Sequence, residues 1–280
     1  MKAKLRAEPS RKSDFFCIES YGVQIGFEIG EGISRSMIKK RLKLVLPNGF
    51  KEIKESSPAH YFRLSKNADQ TFDAGENDQE IIGKVPEGLM FEQLERRVRM
   101  AVAEYAVDKV FLHAGVVGWN GRAIVIPAKS FHGKTTLVAE LVKKGAVYYS
   151  DEYAVLDEDG LVHPFPKMLS MRGIIDDHQQ VDVRVEKLGG VAGDKAIPVG
   201  MILFTQFQAK ARWLPRALSP GRGLLEIIAH TLPIRNKPEF TLKVLNNVMN
   251  RAIITKTKRG DAARTAELII GFIEKQKLKS

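Results

Sequence analysis

The segment Ala128-Lys129-Ser130-Phe131-His132-Gly133-Lys134-Thr135 follows an apolar run and opens a stretch that reads as a helix. Its end matches a phosphate-cradling loop of the form G-x-x-x-x-G-K-[ST], with Ala128 in the place of the first glycine. The chemistry of such a loop is the binding of a nucleotide's phosphates. Free backbone N–H groups and the positive end of the helix dipole aim at the anion. Lys134 would contact the β- and γ-phosphates, the Thr135 hydroxyl would help hold Mg²⁺, and Thr136 completes the first turn. Ala128 lacks glycine's conformational freedom, and Phe131 and His132 replace residues that are usually small. The segment therefore reads as a variant nucleotide loop; the alternative is an ordinary strand-to-helix turn.

A second constellation is Ser150-Asp151-Glu152, at the end of the strand that follows the helix. Adjacent carboxylates after "VYY" do not suit a core strand, because buried unpaired charge is costly. Beside a phosphate loop they make sense as a metal ligand and a catalytic base; the alternative is a solvated strand end. His163 and His178 read as turn residues, Asp176-Asp177 as polar loop, and no His/Cys/Asp spacing suggests zinc.

Elements that would position these residues are legible around them. "VFLHAGVVGW" and "RAIVIPA" read as strands joined by Asn120-Gly121, a hairpin signal. The helix from Thr135 to Lys144 stops at Gly145, and "AVYYSDEYAVLD" reads as one strand before the turn at Asp159-Gly160. This strand–loop–helix–strand order is α/β grammar, in which nucleotide sites form at strand C-terminal ends. Upstream, apolar residues from Leu89 to Tyr105 recur at helical spacing. Residues Phe15 to Ile29 suggest a hairpin around Tyr21-Gly22. Ser34 caps a helix from Met37 to Leu46, and "HYFRL" and "EIIGKV" suggest strands around a polar loop from Asn67 to Gln79. Gly221 to Lys277 reads as mainly helical. The expectation is an α/β chain, α+β overall: an accessory α+β module over 1–85 and a catalytic domain over 86–280 with a helical C-terminal part.

Composition bounds the function classes. An apolar fraction of 44% with 28% charged residues is ordinary for a globular protein. The single cysteine, Cys17, excludes an internal disulfide framework and suits a reducing compartment. The charged start lacks a signal peptide's apolar core and no stretch is apolar enough to span a bilayer, so a cytoplasmic location is expected. The net charge of +11 is spread along the chain rather than gathered in a binding stretch, which argues against nucleic acid as partner.

The region from Val110 to Ala229 resembles the catalytic domain of the HPr serine kinase/phosphorylase family, which shares its nucleotide-binding core with phosphoenolpyruvate carboxykinases. In that family a His-Gly pair precedes the loop by one hairpin, and an Asp-Asp pair ends the strand after the loop's helix. Here His113-Ala114 and Asp151-Glu152 take those places. Ser170-Met171-Arg172-Gly173-Ile174-Ile175 resembles part of a further motif, in which Ser170 replaces a glutamate, and Pro220-Gly221-Arg222-Gly223 resembles a stretch that opens a helix. "HAGVVGWNGRAIVIP…GKTTLVAELVKKGAVYYSDEYAVLD" is similar in turn to HPr-kinase-related proteins, some of which phosphorylate a terminal serine of lasso-peptide precursors.

The resemblance implies roles by position. The loop residues Ala128, Lys129, Ser130, Phe131, His132, Gly133, Lys134, Thr135 and Thr136 bind ATP, and Thr135 and Glu152 hold Mg²⁺. Asp151 accepts the proton of an attacking hydroxyl, His113 lies near the transferring phosphoryl, and Arg222 neutralises charge there. The implied activity is a kinase acting on a serine of a peptide or small protein, with a linked phosphorylase activity in doubt. The family often assembles into homo-oligomers, for which no interface is legible here. The alternative from another class is a non-catalytic nucleotide-sensing or peptide-binding module with a degenerate loop.

Overall fold

The computed structural model describes residues 14–54, 57–77, 79–128, 133–171 and 181–277. Two compact units divide the chain, Met1–Val107 and Asp108–Ser280.

The first unit is a sheet with two helices. Its strands are β1 (Asp14–Ser20), β2 (Val23–Ile29), β3 (Lys51–Ile53), β4 (His60–Lys66), β5 (Phe72–Glu76) and β6 (Gln79–Val85), ordered β3-β1-β2-β4-β5-β6. Tyr21 and Gly22, both at positive φ, make the β1–β2 hairpin turn. Helix α1 (Arg35–Val45) starts where Ser34 Oγ accepts the N–H of Met37, and it buries Ile38, Leu42 and Val45. Phe16, Phe27 and Phe62 stack in sequence beneath it, at centroid spacings of 5.0 and 5.8 Å. Two expectations fail here. The polar stretch Asn67–Gln79 contains β5, which pairs with both β4 and β6 and buries Phe72 and Ala74. Helix α2 (Glu87–Tyr105) packs on β2, β5 and β6 of this unit rather than opening the second, because its apolar stripe through Leu94, Val98 and Val102 needs that sheet.

The second unit has a central sheet covered by helices on both faces. Its strands are β7 (Val110–Trp119), β8 (Arg122–Pro127), β9 (Val147–Ser150), β10 (Tyr153–Leu156), β11 (Leu161–His163), β12 (Leu169–Met171), β13 (Val181–Val183), β14 (Ile197–Phe207), β15 (Arg216–Ala217) and β16 (Ile253–Arg259). Its helices are α3 (Lys134–Lys143), α4 (Pro220–Ile228), α5 (Pro238–Arg251) and α6 (Ala262–Lys277). The main order is β11-β10-β7-β8-β14-β16-β15, with β9 beside β7 and β11 also paired to β14; β12 and β13 form a separate ribbon. Strands β8, β14 and β16 are mutually parallel, while β7 runs antiparallel to β8 through Asn120-Gly121, both at positive φ.

Strand alternation sends β14 to two cores. Met201 and Leu203 join Leu137, Leu141 and Ala266 under α3 and α6, whereas Ile202 and Phe204 join Ile227, Val244 and Met249 under α4 and α5. The expected helical C-terminal part is interrupted by β16. Its Lys and Thr residues suggest an exposed segment, yet Thr255, Thr257 and Arg259 are buried while Lys256 and Lys258 face out. The expected single strand over "AVYYSDEYAVLD" is two strands, β9 and β10, with Asp151-Glu152 at the break. His163 lies on β11, not in a turn, with Nε2 2.7 Å from Asp157 Oδ2. Arg172, Asp176, Asp177 and His178 fall outside the described residues. No helix among the described residues is long and apolar enough to cross a membrane.

Candidate functional site

Because β8, β14 and β16 are parallel, their C-terminal ends share one edge, where open α/β sheets place ligands. Buried Ala128 leaves β8 at that edge, and Gly133, at φ 72°, is the N-cap of α3. Lys129, Ser130, Phe131 and His132 lie outside the described residues. Lys134 opens α3 and is only 8% exposed. Its neighbour across the fold is β7, whose His113, Gly115 and Val117 alternate with core-facing Leu112, Ala114 and Val116. Gly115 makes room for the lysine: a β-carbon there would stand 3.0 Å from Lys134 Cγ. Thr136 is exposed on the first turn.

The carboxylates reach the same place through β7. Pairing of Val116 with Ser150 and of Tyr153 with His113 sets the β9–β10 break beside Ala114, whose N–H donates to the Glu152 carbonyl at 3.1 Å. Ser150 Oγ accepts the N–H groups of Glu152 and Tyr153, both at 3.0 Å, fixing the bend. Asp151, 5% exposed, accepts the Thr135 hydroxyl at 3.0 Å and the Ser170 N–H at 3.4 Å through Oδ2. Its Oδ1 lies 3.1 Å from the Tyr148 hydroxyl, which also donates to the Lys167 carbonyl at 2.7 Å. Burial and the Asp151 charge push the Tyr148 phenol above its ordinary range, so it stays a donor. Glu152 turns elsewhere, its Oε2 3.4 Å from Lys167 Nζ. That ammonium also donates to Ser170 Oγ, which bonds Asp182 across the β12–β13 ribbon.

Burial dominates the electrostatics. It lowers Lys134 to about 8, against the pull of Asp151 and Glu152. It lowers His113 to about 4, helped by the Lys134 charge and opposed by Glu152. At neutral pH the imidazole is uncharged and the ammonium mostly charged.

The structure thus brings together His113, Lys134, Thr135, Asp151 and Glu152. Arg222 is not tied to them by a hydrogen bond or ion pair among the described residues. That residue lies on the exposed start of α4, its N–H held by Ser219 Oγ. The turn that follows α4 meets β7, where His113 N–H donates to the His230 carbonyl at 2.8 Å. Gly223 of the same motif serves packing, since a β-carbon there would crowd Ile254 and Met249.

Sequence reasoning missed Tyr148, Lys167 and Arg259. Arg259, 3% exposed at the C-terminal end of β16, donates to the Gly133 carbonyl at 2.7 Å and to that of Gly260 at 3.2 Å. Its pairing with a glycine 126 positions earlier leaves no local signal. A hydroxyl with two nearby carboxylates is an oxygen donor set of the kind Mg²⁺ accepts, and a lysine at a helix N-terminus suits phosphate. No group of three or more His, Cys, Asp or Glu side chains that would hold a metal gathers among the described residues.

No protein-family model matches the chain, and no curated protein matches it. Among solved structures it is similar to the Hpr(Ser) kinase/phosphatase from Coxiella burnetii, at 16% identity over 60% of this chain and 97% of that one, with a TM-score of 0.34. That is a distant likeness of fold.

Proposed function

We propose that this chain is an ATP- and Mg²⁺-dependent kinase that transfers the γ-phosphoryl group to a hydroxyl, a serine of a peptide or small protein. The observation that carries this reading is the buried join between the loop helix and the strand-end carboxylate. Lys134 and Asp151 are both buried, and Thr135 Oγ1 lies 3.0 Å from Asp151 Oδ2. A desolvated ammonium at a helix N-terminus gains most from an anion brought to it, and a triphosphate is such an anion.

In this reading the chain contributes positioning and charge. Gly133, Lys134 and the α3 N-terminus hold the phosphates, and Thr135 and Glu152 hold the metal. Mg²⁺ supplies charge neutralisation at the β- and γ-oxygens when bound. Asp151 orients the acceptor hydroxyl and takes its proton. Neutral His113 offers a hydrogen bond rather than a charge. Arg222 neutralises charge at the transferring group.

One observation favours a second assignment within the same activity. The Thr135 hydroxyl is bonded to Asp151, while Glu152 faces Lys167. That arrangement suits Asp151 as the metal's partner and Glu152 as the group facing the acceptor.

The test is transfer of labelled phosphate from ATP to serine-bearing peptides by the full chain, by Lys134→Ala and by Asp151→Asn. Transfer by the wild type alone is expected. Nucleotide affinity without transfer to any hydroxyl would support the non-catalytic module instead.

A further inference from the structure

The N-terminal ends of β8, β14 and β16 lie at the opposite edge from the loop, and two adjoining hollows open there. The larger, about 460 Å³, has Trp119, Ile124, Met201 and Ile273 among its walls. The smaller, about 330 Å³, lies against the Asp159-Gly160 turn and Val248. Arg122 and Arg251 line both, so the two hollows adjoin at this pair of arginines as a two-part cleft.

The fold makes deliberate room for the first of these. The parallel register of β8 and β14 slips between Val199 and Met201, and a β-carbon at the intervening Gly200 would stand 2.8 Å from Arg122 Cβ. The Arg122 stem therefore lies across a glycine bulge. Both arginines are exposed, and neither forms a side-chain hydrogen bond or ion pair among the described residues. Among the described residues the cleft's one lining carboxylate, Asp159, belongs to the smaller hollow and pairs with neither. The buried indole Nε1 of Trp119 has no hydrogen-bond acceptor among the described residues either.

We propose that this cleft binds a small organic anion, a carboxylate or phosphate ester carrying an apolar, planar body. Two unpaired guanidinium forks match the oxygens of either anion, and the indole and aliphatic walls match the body. The cleft has the size of ordinary small-ligand sites, which combine apolar walls with a few polar anchors. It is separate from the loop: the six residues of β8, at about 3.3 Å each, put roughly 17 Å between the two ends. The inference therefore stands independently of the kinase reading.

Of the two tryptophans, Trp213 can be removed so that Trp119 alone reports. Phenylacetate and phenyl phosphate would be titrated into the full-length Trp213→Phe chain while its fluorescence is followed. Saturable quenching by at least one probe is expected, and the stronger probe identifies the preferred anion. Its affinity should fall about tenfold or more in Arg122→Met and in Arg251→Met, the loss expected for a charge-assisted hydrogen bond. Lys134→Ala should leave the titration unchanged. No saturable signal at millimolar probe in folded protein, or the affinity of the Trp213→Phe parent retained in both arginine variants, would overturn the proposal.

Discussion

Gly115 lies against the Lys134 side chain, so closely that a β-carbon would stand 3.0 Å from Lys134 Cγ and 2.6 Å from Val138 Cγ2. The glycine thus gives the loop lysine its path through the packed interior between β7 and α3. Gly115→Ala is expected to cost about 1–3 kcal/mol through overpacking and to weaken nucleotide binding by displacing the ammonium. Thermal unfolding and a nucleotide titration check both effects. Wild-type values in each would mean that the contact does not constrain the lysine.

His113 makes the fold acid-sensitive. Burial lowers its pKa to about 4 from an unfolded 6.5, so between those values the unfolded chain binds more protons. Stability conferred by the neutral imidazole is complete above pH 6.5 and is lost as pH falls toward 4, by at most about 3 kcal/mol. Urea unfolding at pH 7 and pH 4.5 should show a smaller drop for His113→Gln than for the wild type.

Lys134 predicts the opposite limb for binding. With a free-state pKa of about 8, an anion that requires the ammonium must restore the proton above that pH. Affinity for ATP is expected to be flat below pH 8 and to fall above it, and proton uptake should accompany binding there. Calorimetry in buffers of different ionisation enthalpy would measure the uptake.

Asp151 and Glu152 are separable by metal dependence. Loss of the group that takes the hydroxyl's proton should lower kcat by about 10²–10⁴-fold at any Mg²⁺ concentration. Loss of the metal partner should instead raise the Mg²⁺ needed for half-maximal rate. Asp151→Asn and Glu152→Gln, assayed across a Mg²⁺ series, assign the two roles.

Arg259 ties the end of β16 to the loop through the Gly133 carbonyl. Arg259→Met keeps the apolar stem but leaves that carbonyl without its guanidinium donor, at a cost of about 1–3 kcal/mol. Nucleotide affinity should fall with stability, whereas a variant that loses stability alone would confine Arg259 to packing.

Much of the second unit was legible because its signals are local. Asn120-Gly121 marks the β7–β8 hairpin and Gly145 ends α3, whereas the break between β9 and β10 was hidden by apolar residues on both sides of Asp151-Glu152. β5 was hidden because Asp73, Gly75 and Glu76 outweigh its two buried residues. β16 was hidden because burial there falls on Thr255, Thr257 and Arg259, residue types that usually face water. The α2 stripe was readable as a helix, but its partner sheet was not, since periodicity names a face and not what covers it. Arg259 and Lys167 reach the candidate site through tertiary contact alone.

The most direct test of the account is calorimetric titration of ATP with Mg²⁺ into the wild type and Lys134→Ala, with folding of both checked by circular dichroism. Micromolar binding by the wild type, lost in the variant, is the predicted result. No heat in either folded protein, or equal binding in both, would contradict a working nucleotide loop at Lys134.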